Sequence, residues 1–484
     1  MTELCDLGAV ELRRMIGARE ISPVDLLDSC IARTEAVDGA VNAMVARDFE
    51  RARETAQSAE RAVMAGEELG ALHGLPVGVK DLNATGGLRT TQGSLLYQDH
   101  VPESDERMVA ALRAAGGIVF GKTNTPEFGA GANTKNRVYG ATGNPFDPQR
   151  TCGGSSGGSA VALATGMVPL ATGSDLGGSL RTPAGFCGVV GIRPSPGTVP
   201  SETRAVGLSP FSVQGPMGRT VADAALLLAA QAAFDRRDPY SRTLDPALLR
   251  GPREFDLSRL KVGFTEDLGV AAVDDGIRKV FRARIERIAP LFGACAPRDP
   301  DLGPAHEIFE TLRGVIFVAA HKERLEKHRD LLGPNVIDNT ERGLRYSLAD
   351  VAWAQVEQAK TYRRFLALME KFDVLLAPAC SVPPFPHAQL YVETINGKTM
   401  DTYMRWLAIS YGVTLTTHPV VALPCGRDDL GLPFGIQVIG RMGEDARLIE
   451  IAASLETALA ADAELARPLP DLDKLKTWRE AAAS

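Results

Sequence analysis

The sequence predicts an α/β fold, built as one large unit, and three observations carry that expectation. Short apolar runs such as "LPVGVKD" alternate with helix-like periods from about residue 75 onward. The same texture returns near the C-terminus in "HPVVALPCG", "LPFGIQVIG" and "EDARLIEIAASLETAL". No internal repeat or low-complexity linker divides the 484 residues. Strands that alternate with helical segments bury both by laying the strands into a sheet and packing the helices against it.

The elements follow in order. "SPVDLLDSCIARTEAV" predicts a helix with Ser22 as its cap, Pro23 at the first helical position and Asp25 in the first turn. Leu26, Leu27, Cys30 and Ile31 give it an apolar face. A second helix is predicted over residues 46 to about 64, rich in alanine and in charge partners four residues apart. "LPVGVKD" predicts a strand ending at Lys80. "DERMVAALRAAGGIVFGKTN" predicts a helix, a Gly-Gly stop and a strand over 118–120. A small-residue helix then follows a glycine/serine run, and "VPLATGSD" predicts the next strand. "RLKVGFTED" is a further strand and "VDDGIRKVFRARIERIAPL" a further helix. Residues 301–370 read as helical and charged, inserted ahead of the strand 374–377 and the final strands.

Composition excludes several functions. There are 60 acidic and 53 basic side chains, a formal net charge of -7, which gives no reason to expect a nucleic-acid partner. The segment "MTELCDLGAVELRRMIG" has no signal-peptide core, and no run of about 18 uncharged apolar residues occurs. No membrane partner is therefore expected, and the expected compartment is cytoplasmic. Seven cysteines lie scattered without a CxxC pair, as suits buried thiols in a reducing compartment. Seven histidines are scattered too, without HExxH, so no metal site is expected. "GGIVFGKT" matches the letters of a phosphate-binding loop, but its variable positions are strand residues and a helix precedes them. Such a loop needs successive backbone N–H groups between a strand and a helix, so the match predicts no nucleotide.

Three segments combine special backbone with reactive side chains. "LPVGVKDL" places Lys80 at the end of an apolar strand. "GGSSGGSA" carries Ser155, Ser156 and Ser159, and runs straight into "AVALATGMVPLATG", which must be buried. A glycine-rich turn clamped onto a buried helix is a positioned object rather than a linker. "GSDLGGSLRTPAGFCG" puts Ser179 after Gly177 and Gly178, and the N–H groups from Leu176 to Ser179 are candidates for an oxyanion hole. A serine nucleophile needs a base, and no histidine or GxSxG motif accompanies these segments. A desolvated lysine can serve, and Lys80 is the lysine whose context suggests it. The plainer alternatives are that Lys80 is a paired core lysine beside Asp81 and that Ser179 caps a helix.

In their order and spacing the three segments resemble the amidase signature family. "GKTNTPEFG", "YGATGNPFD", "SVQGPMGRTVADAALLL", "FDVLLAP" and "GLPFGIQVIG" extend the resemblance from about residue 8 to residue 460. The resemblance implies a single domain with a mixed β-sheet core flanked by helices. It implies Ser179 as nucleophile, Ser155 as a bridging serine on a cis peptide bond, and Lys80 as base. Ser156 helps hold the lysine, Asp175 and Arg181 form a support pair, and the oxyanion hole comprises Leu176, Gly177, Gly178 and Ser179. The implied reaction is acyl transfer, cleaving a carboxylic amide to acid plus ammonia or amine with no metal and no cofactor. An ester or carbamate is a chemically close alternative.

The expected organisation is N-terminal helices over 1–65, a catalytic core over 66–250, a helical substrate-shaping segment over 300–410 and closing strands and helix over 411–484. "GSLRTPA" and "VGLSPFSVQGPMGRT" resemble the wording of stand-alone amidases rather than of the catalytic subunit of an aminoacyl-tRNA amidotransferase, which stays the alternative. Leu176, Leu180 and His418 depart from common family residues, and the resemblance puts no activity at risk from them. Phe309, Phe317, Trp353, Tyr403 and Trp406 are candidates for an apolar pocket or for core, so the lean is to an aryl, arylalkyl or aliphatic amide. A small-molecule amide is the expected partner, with a homodimer left open.

Overall fold

In the computed structural model, which describes residues 3–249 and 251–478, strands recur along the whole chain. The first six are Met44–Arg47 (β1), Pro76–Lys80 (β2), Ile118–Thr123 (β3), Leu170–Asp175 (β4), Val190–Arg193 (β5) and Val213–Gly218 (β6). Lys261–Phe264 (β7), Ala294–Pro297 (β8), Val374–Pro378 (β9), Val420–Arg427 (β10) and Pro433–Ile439 (β11) follow. They join one 11-stranded sheet in the order β1-β3-β2-β4-β6-β5-β10-β11-β9-β7-β8. The β3–β2–β4 and β9–β7–β8 neighbours are parallel and the others antiparallel, so the sheet is mixed. Every residue of β2 and of β11 is buried, as expected of central strands with cover on both faces.

Helices flank this sheet. Ala9–Gly17 (α1), Pro23–Val41 (α2) and Phe49–Ala65 (α3) lie in the N-terminal part. Arg107–Ala114 (α4), Gly157–Ala164 (α5), Arg181–Cys187 (α6) and Val221–Gln231 (α7) connect the first strands. Asp275–Ile288 (α8), Ala305–His328 (α9), Pro334–Gly343 (α10) and Leu348–Met369 (α11) precede β9. Ala408–Thr416 (α12) and Asp445–Ala460 (α13) complete the frame.

α2 forms as its sequence predicts, with Ser22 Oγ accepting from the Val24 N–H at 2.9 Å and Leu26, Leu27 and Cys30 buried. The second helix is shorter than expected. Met44–Arg47 is an edge strand antiparallel to β3, and Asp48 caps α3 by accepting from the Arg51 N–H at 3.1 Å. The alanine count hides this boundary: Asp38 turns the chain at Ala43, whose N–H it binds at 2.7 Å, and Asp48 supplies the new start. α1 is an addition to the expected elements. "IVFGKT" is strand β3, with its lysine in a ladder rather than in a phosphate loop.

Candidate active site

β2 and β4 are parallel neighbours, so their final residues Lys80 and Asp175 emerge at the same edge of the sheet. Carboxyl ends of parallel strands are where α/β folds leave room for ligands. The pleat puts Thr172 and Ser174 on one face of β4, where both hydroxyls reach Lys80 at the end of β2. Thr172 Oγ1 accepts from the Lys80 N–H at 2.9 Å, and Ser174 Oγ accepts from Lys80 Nζ at 2.9 Å. The glycine/serine run supplies the other wall. A Cβ on Gly158 would lie 2.2 Å from the Asn124 backbone N, so only glycine lets α5 start this close to the end of β3. That approach delivers Ser155 and Ser156, whose Oγ atoms accept from Lys80 Nζ at 2.8 and 3.0 Å. The Gly154–Ser155 peptide bond is cis.

Lys80 is fully buried, and its ammonium faces three hydroxyls with no carboxylate in ion-pair distance among the described residues. Burial pulls its pKa down to about 7, against the opposing charge of Asp175. An amine poised there exchanges its proton readily at neutral pH. Ser159, by contrast, is structural: its Oγ donates to the Thr172 carbonyl at 2.8 Å and meets Thr123 Oγ1 at 2.6 Å.

Asp175 shapes the loop that presents Ser179. Its carboxylate accepts from the N–H groups of Gly178 (2.9 Å) and Leu180 (3.1 Å). Arg181 grips it with Nε and Nη2 at 3.0 and 2.9 Å, and Arg193 Nη1 adds a bond at 3.0 Å. Burial pushes this carboxyl up, but the two guanidiniums outweigh burial and hold it well below the usual carboxylate range. Gly178 has φ +121, and a Cβ there would lie 2.6 Å from that of Ser410. No other residue fits that turn. Asp175 also engages one of the N–H groups expected to form the oxyanion hole. The Gly178 N–H is spent on the carboxylate, whereas those of Leu176, Gly177 and Ser179 have no such bond among the described residues.

Ser179 is half-buried and opens on a cavity of about 110 Å³ shared with Ser155, Ser174, Leu176 and Gly177. Phe317, Met404, Leu407, Ser212 and Arg313 are among its other walls. Of the five candidate aromatics only Phe317 is one of these walls. Phe309 stacks on Tyr411 at 4.2 Å, Trp406 sits edge-on to Phe385 in the core, and Trp353 is exposed. Tyr403 stands behind Arg313, accepting a hydrogen bond from its Nη2 at 2.7 Å. His418 is buried against Phe365, with Nδ1 2.8 Å from the Thr416 carbonyl oxygen, and packs rather than lining the cavity. Among the described residues, Glu3, Cys5 and Asp6 are the group whose ligand atoms cluster as a metal site would, and Arg33 already occupies both carboxylates.

Sequence reasoning missed Ser174, Arg193 and Arg313. The Thr172/Ser174 alternation beside a lysine strand was a usable signal for the first. The other two are arginines in apolar surroundings, "VGIRPS" and "FETLRGVIF", where a charge needs a reason.

The family model described as Amidase matches residues 25–449. An acylamidase of Rhodococcus erythropolis is 32% identical over 453 residues, covering 93% of this chain and 95% of its own. The glutamyl-tRNA(Gln) amidotransferase subunit of Acidothermus cellulolyticus that matches this chain is also 32% identical, covering 95% of both chains. Among solved structures, a bacterial aryl acylamidase described as an amidase signature enzyme superposes with a TM-score of 0.87. It is 28% identical and covers 98% of this chain and 99% of that one.

Proposed function

This chain belongs to the amidase signature family of serine hydrolases, which cleave amides through serine, and from that premise we propose the residues and the substrate setting. Ser179 is the nucleophile, Ser155 the proton relay and Lys80 the base. Neutral Lys80 takes the Ser155 proton as Ser155 takes that of Ser179, and Ser179 Oγ bonds to the amide carbon. The carbonyl oxygen gathers negative charge toward the N–H groups of Leu176, Gly177 and Ser179. The Lys80 proton returns through Ser155 to the leaving nitrogen, the C–N bond breaks, and ammonia or an amine departs. Water, deprotonated by the same relay, attacks the ester and frees the acid and Ser179.

One observation carries this reading: a buried lysine near neutrality whose acceptors are all hydroxyls, two of them, on Ser155 and Ser174, sharing a cavity with Ser179. Ser156 and Ser174 orient the amine, and Asp175 with Arg181 fixes the nucleophile loop. We read the chain as a stand-alone amidase acting on a small amide, supported by "GSLRTPA" and by the small volume of the cavity. The equal identity to an amidotransferase subunit favours a second reading, glutamine hydrolysis for a partner complex.

The test is to incubate the protein with a fluorophosphonate and map the adduct by mass spectrometry. The expected adduct is on Ser179, and labelling of another serine overturns the assignment. Ammonia release from a primary amide and from glutamine, with and without amidotransferase partners and tRNA, separates the two readings. Glutamine turnover that dominates and rises only with partners selects the second.

A further inference from the structure

The cavity that Ser155, Ser174 and Ser179 line also holds a charge the hydrolytic reaction does not use. Arg313 comes from α9 and is 5% exposed. Its Nε donates to Asn339 Oδ1 at 2.9 Å and its Nη2 to the Tyr403 hydroxyl at 2.7 Å. The guanidinium carbon lies 4.3 Å from the centre of the Phe317 ring. These partners orient the group but none is an anion. Among the described residues, no carboxylate comes within ion-pair distance of Arg313, although many other arginines have one. Arginine keeps its charge in any protein environment, and a buried, unneutralised cation is costly. No aspartate or glutamate lines the cavity, and among the described residues Nη1 has no hydrogen-bond acceptor.

We propose that Arg313 anchors a carboxylate on the substrate, so that the amide cleaved at Ser179 belongs to a small carboxylate-bearing molecule such as the monoamide of a short dicarboxylic acid. The proposal rests on the reading of Ser179 as nucleophile. A planar guanidinium with free N–H groups matches a carboxylate in two parallel bonds, and exclusion of water strengthens them. The absence of an acid from the lining also discriminates within carboxylates. Glutamine brings an α-ammonium that would need an anionic or carbonyl partner, whereas the same chain without the amino group brings only the carboxylate. The anchor selects by charge and the acid-free wall selects against the zwitterion.

The first experiment uses the unaltered protein. Measure kcat/KM for succinamate and glutaramate beside butanamide and pentanamide, in which a methyl ends the chain, and beside glutamine. The expected result is a preference of about tenfold or more for each anionic amide over its neutral counterpart, and for glutaramate over glutamine. Equal or inverted ratios overturn the proposal. The second compares R313M and R313K. In R313M the anionic preference collapses mainly through a raised KM, and R313K restores part of it. A preference that survives R313M in folded protein overturns the proposal, and if R313M does not fold, R313K and the first experiment decide. Fluorophosphonate labelling runs alongside. Ser179 labelled with neutral amides turned over equally well defeats the anchor alone. Ser179 unlabelled and no amide cleaved defeats the parent reading and the anchor with it.

Discussion

Two lysines end up fully buried on adjacent strands, Lys80 at the end of β2 and Lys122 in β3, and their surroundings differ in kind. Burial lowers both, to about 7 for Lys80 and about 8 for Lys122. Lys122 Nζ donates to the Asn83 carbonyl and, at 2.8 Å, to Thr85 Oγ1, with the charges of Asp81, Glu106 and Asp105 opposing its desolvation. Lys80 has three hydroxyls, and the Ser155 and Ser174 hydroxyls line the cavity that Ser179 also lines. A carbonyl can only accept, so it pins an ammonium in place. A hydroxyl can give a proton as well as receive one, so it lets an amine act as a base. Desolvation alone does not give a lysine the role proposed for Lys80. The partners decide.

That contrast is broken most severely by K80M. Turnover should fall by about 10²–10⁴-fold or more, since the base is gone. The melting temperature should hold or rise, because a thioether of similar length replaces a desolvated amine. K122M should do the reverse. Its kcat per folded molecule stays of the same order, while stability drops by about 1–3 kcal/mol because the Asn83 carbonyl is left buried without a donor. Steady-state kinetics beside thermal melts check both. Equal kinetic losses in the two variants would erase the distinction.

A smaller effect sharpens the same comparison. Ser174 accepts from the protonated amine, so S174A removes support for the charged form of Lys80. Its pKa should fall, moving the acid limb of kcat about one unit lower in pH. A limb that moves up instead means Ser174 stabilises the neutral amine.

Much of this site was legible before any coordinates. Lys80, Ser155 and Ser179 stand out because glycine runs and a charged strand end interrupt apolar sequence, which is where backbone must be special. The alternation of strands and helices and the cap at Ser22 were readable for the same local reasons. What escaped depends on contacts far along the chain. Arg193 meets Asp175 from a neighbouring part of the sheet, and Arg313 reaches the cavity from a helix 134 residues past Ser179, as their numbers give directly. That Asp175 takes the N–H of Gly178, one of the four expected in the oxyanion hole, is another contact that pattern alone cannot reveal. β1 was lost to its alanine-rich neighbour, where helix propensity outweighed the capping signal of Asp48.

The central claim is that a neutral Lys80 drives acylation of Ser179. The most direct measurement is the single-turnover rate of Ser179 acylation as a function of pH, in the native protein and in K80M. Below the Lys80 pKa the amine carries its proton and cannot accept another, so the rate should climb about tenfold per pH unit and level off above about pH 7. K80M should lose both the rate and the limb. A native rate that is flat through this range, or a K80M profile that keeps the same limb, would contradict the account.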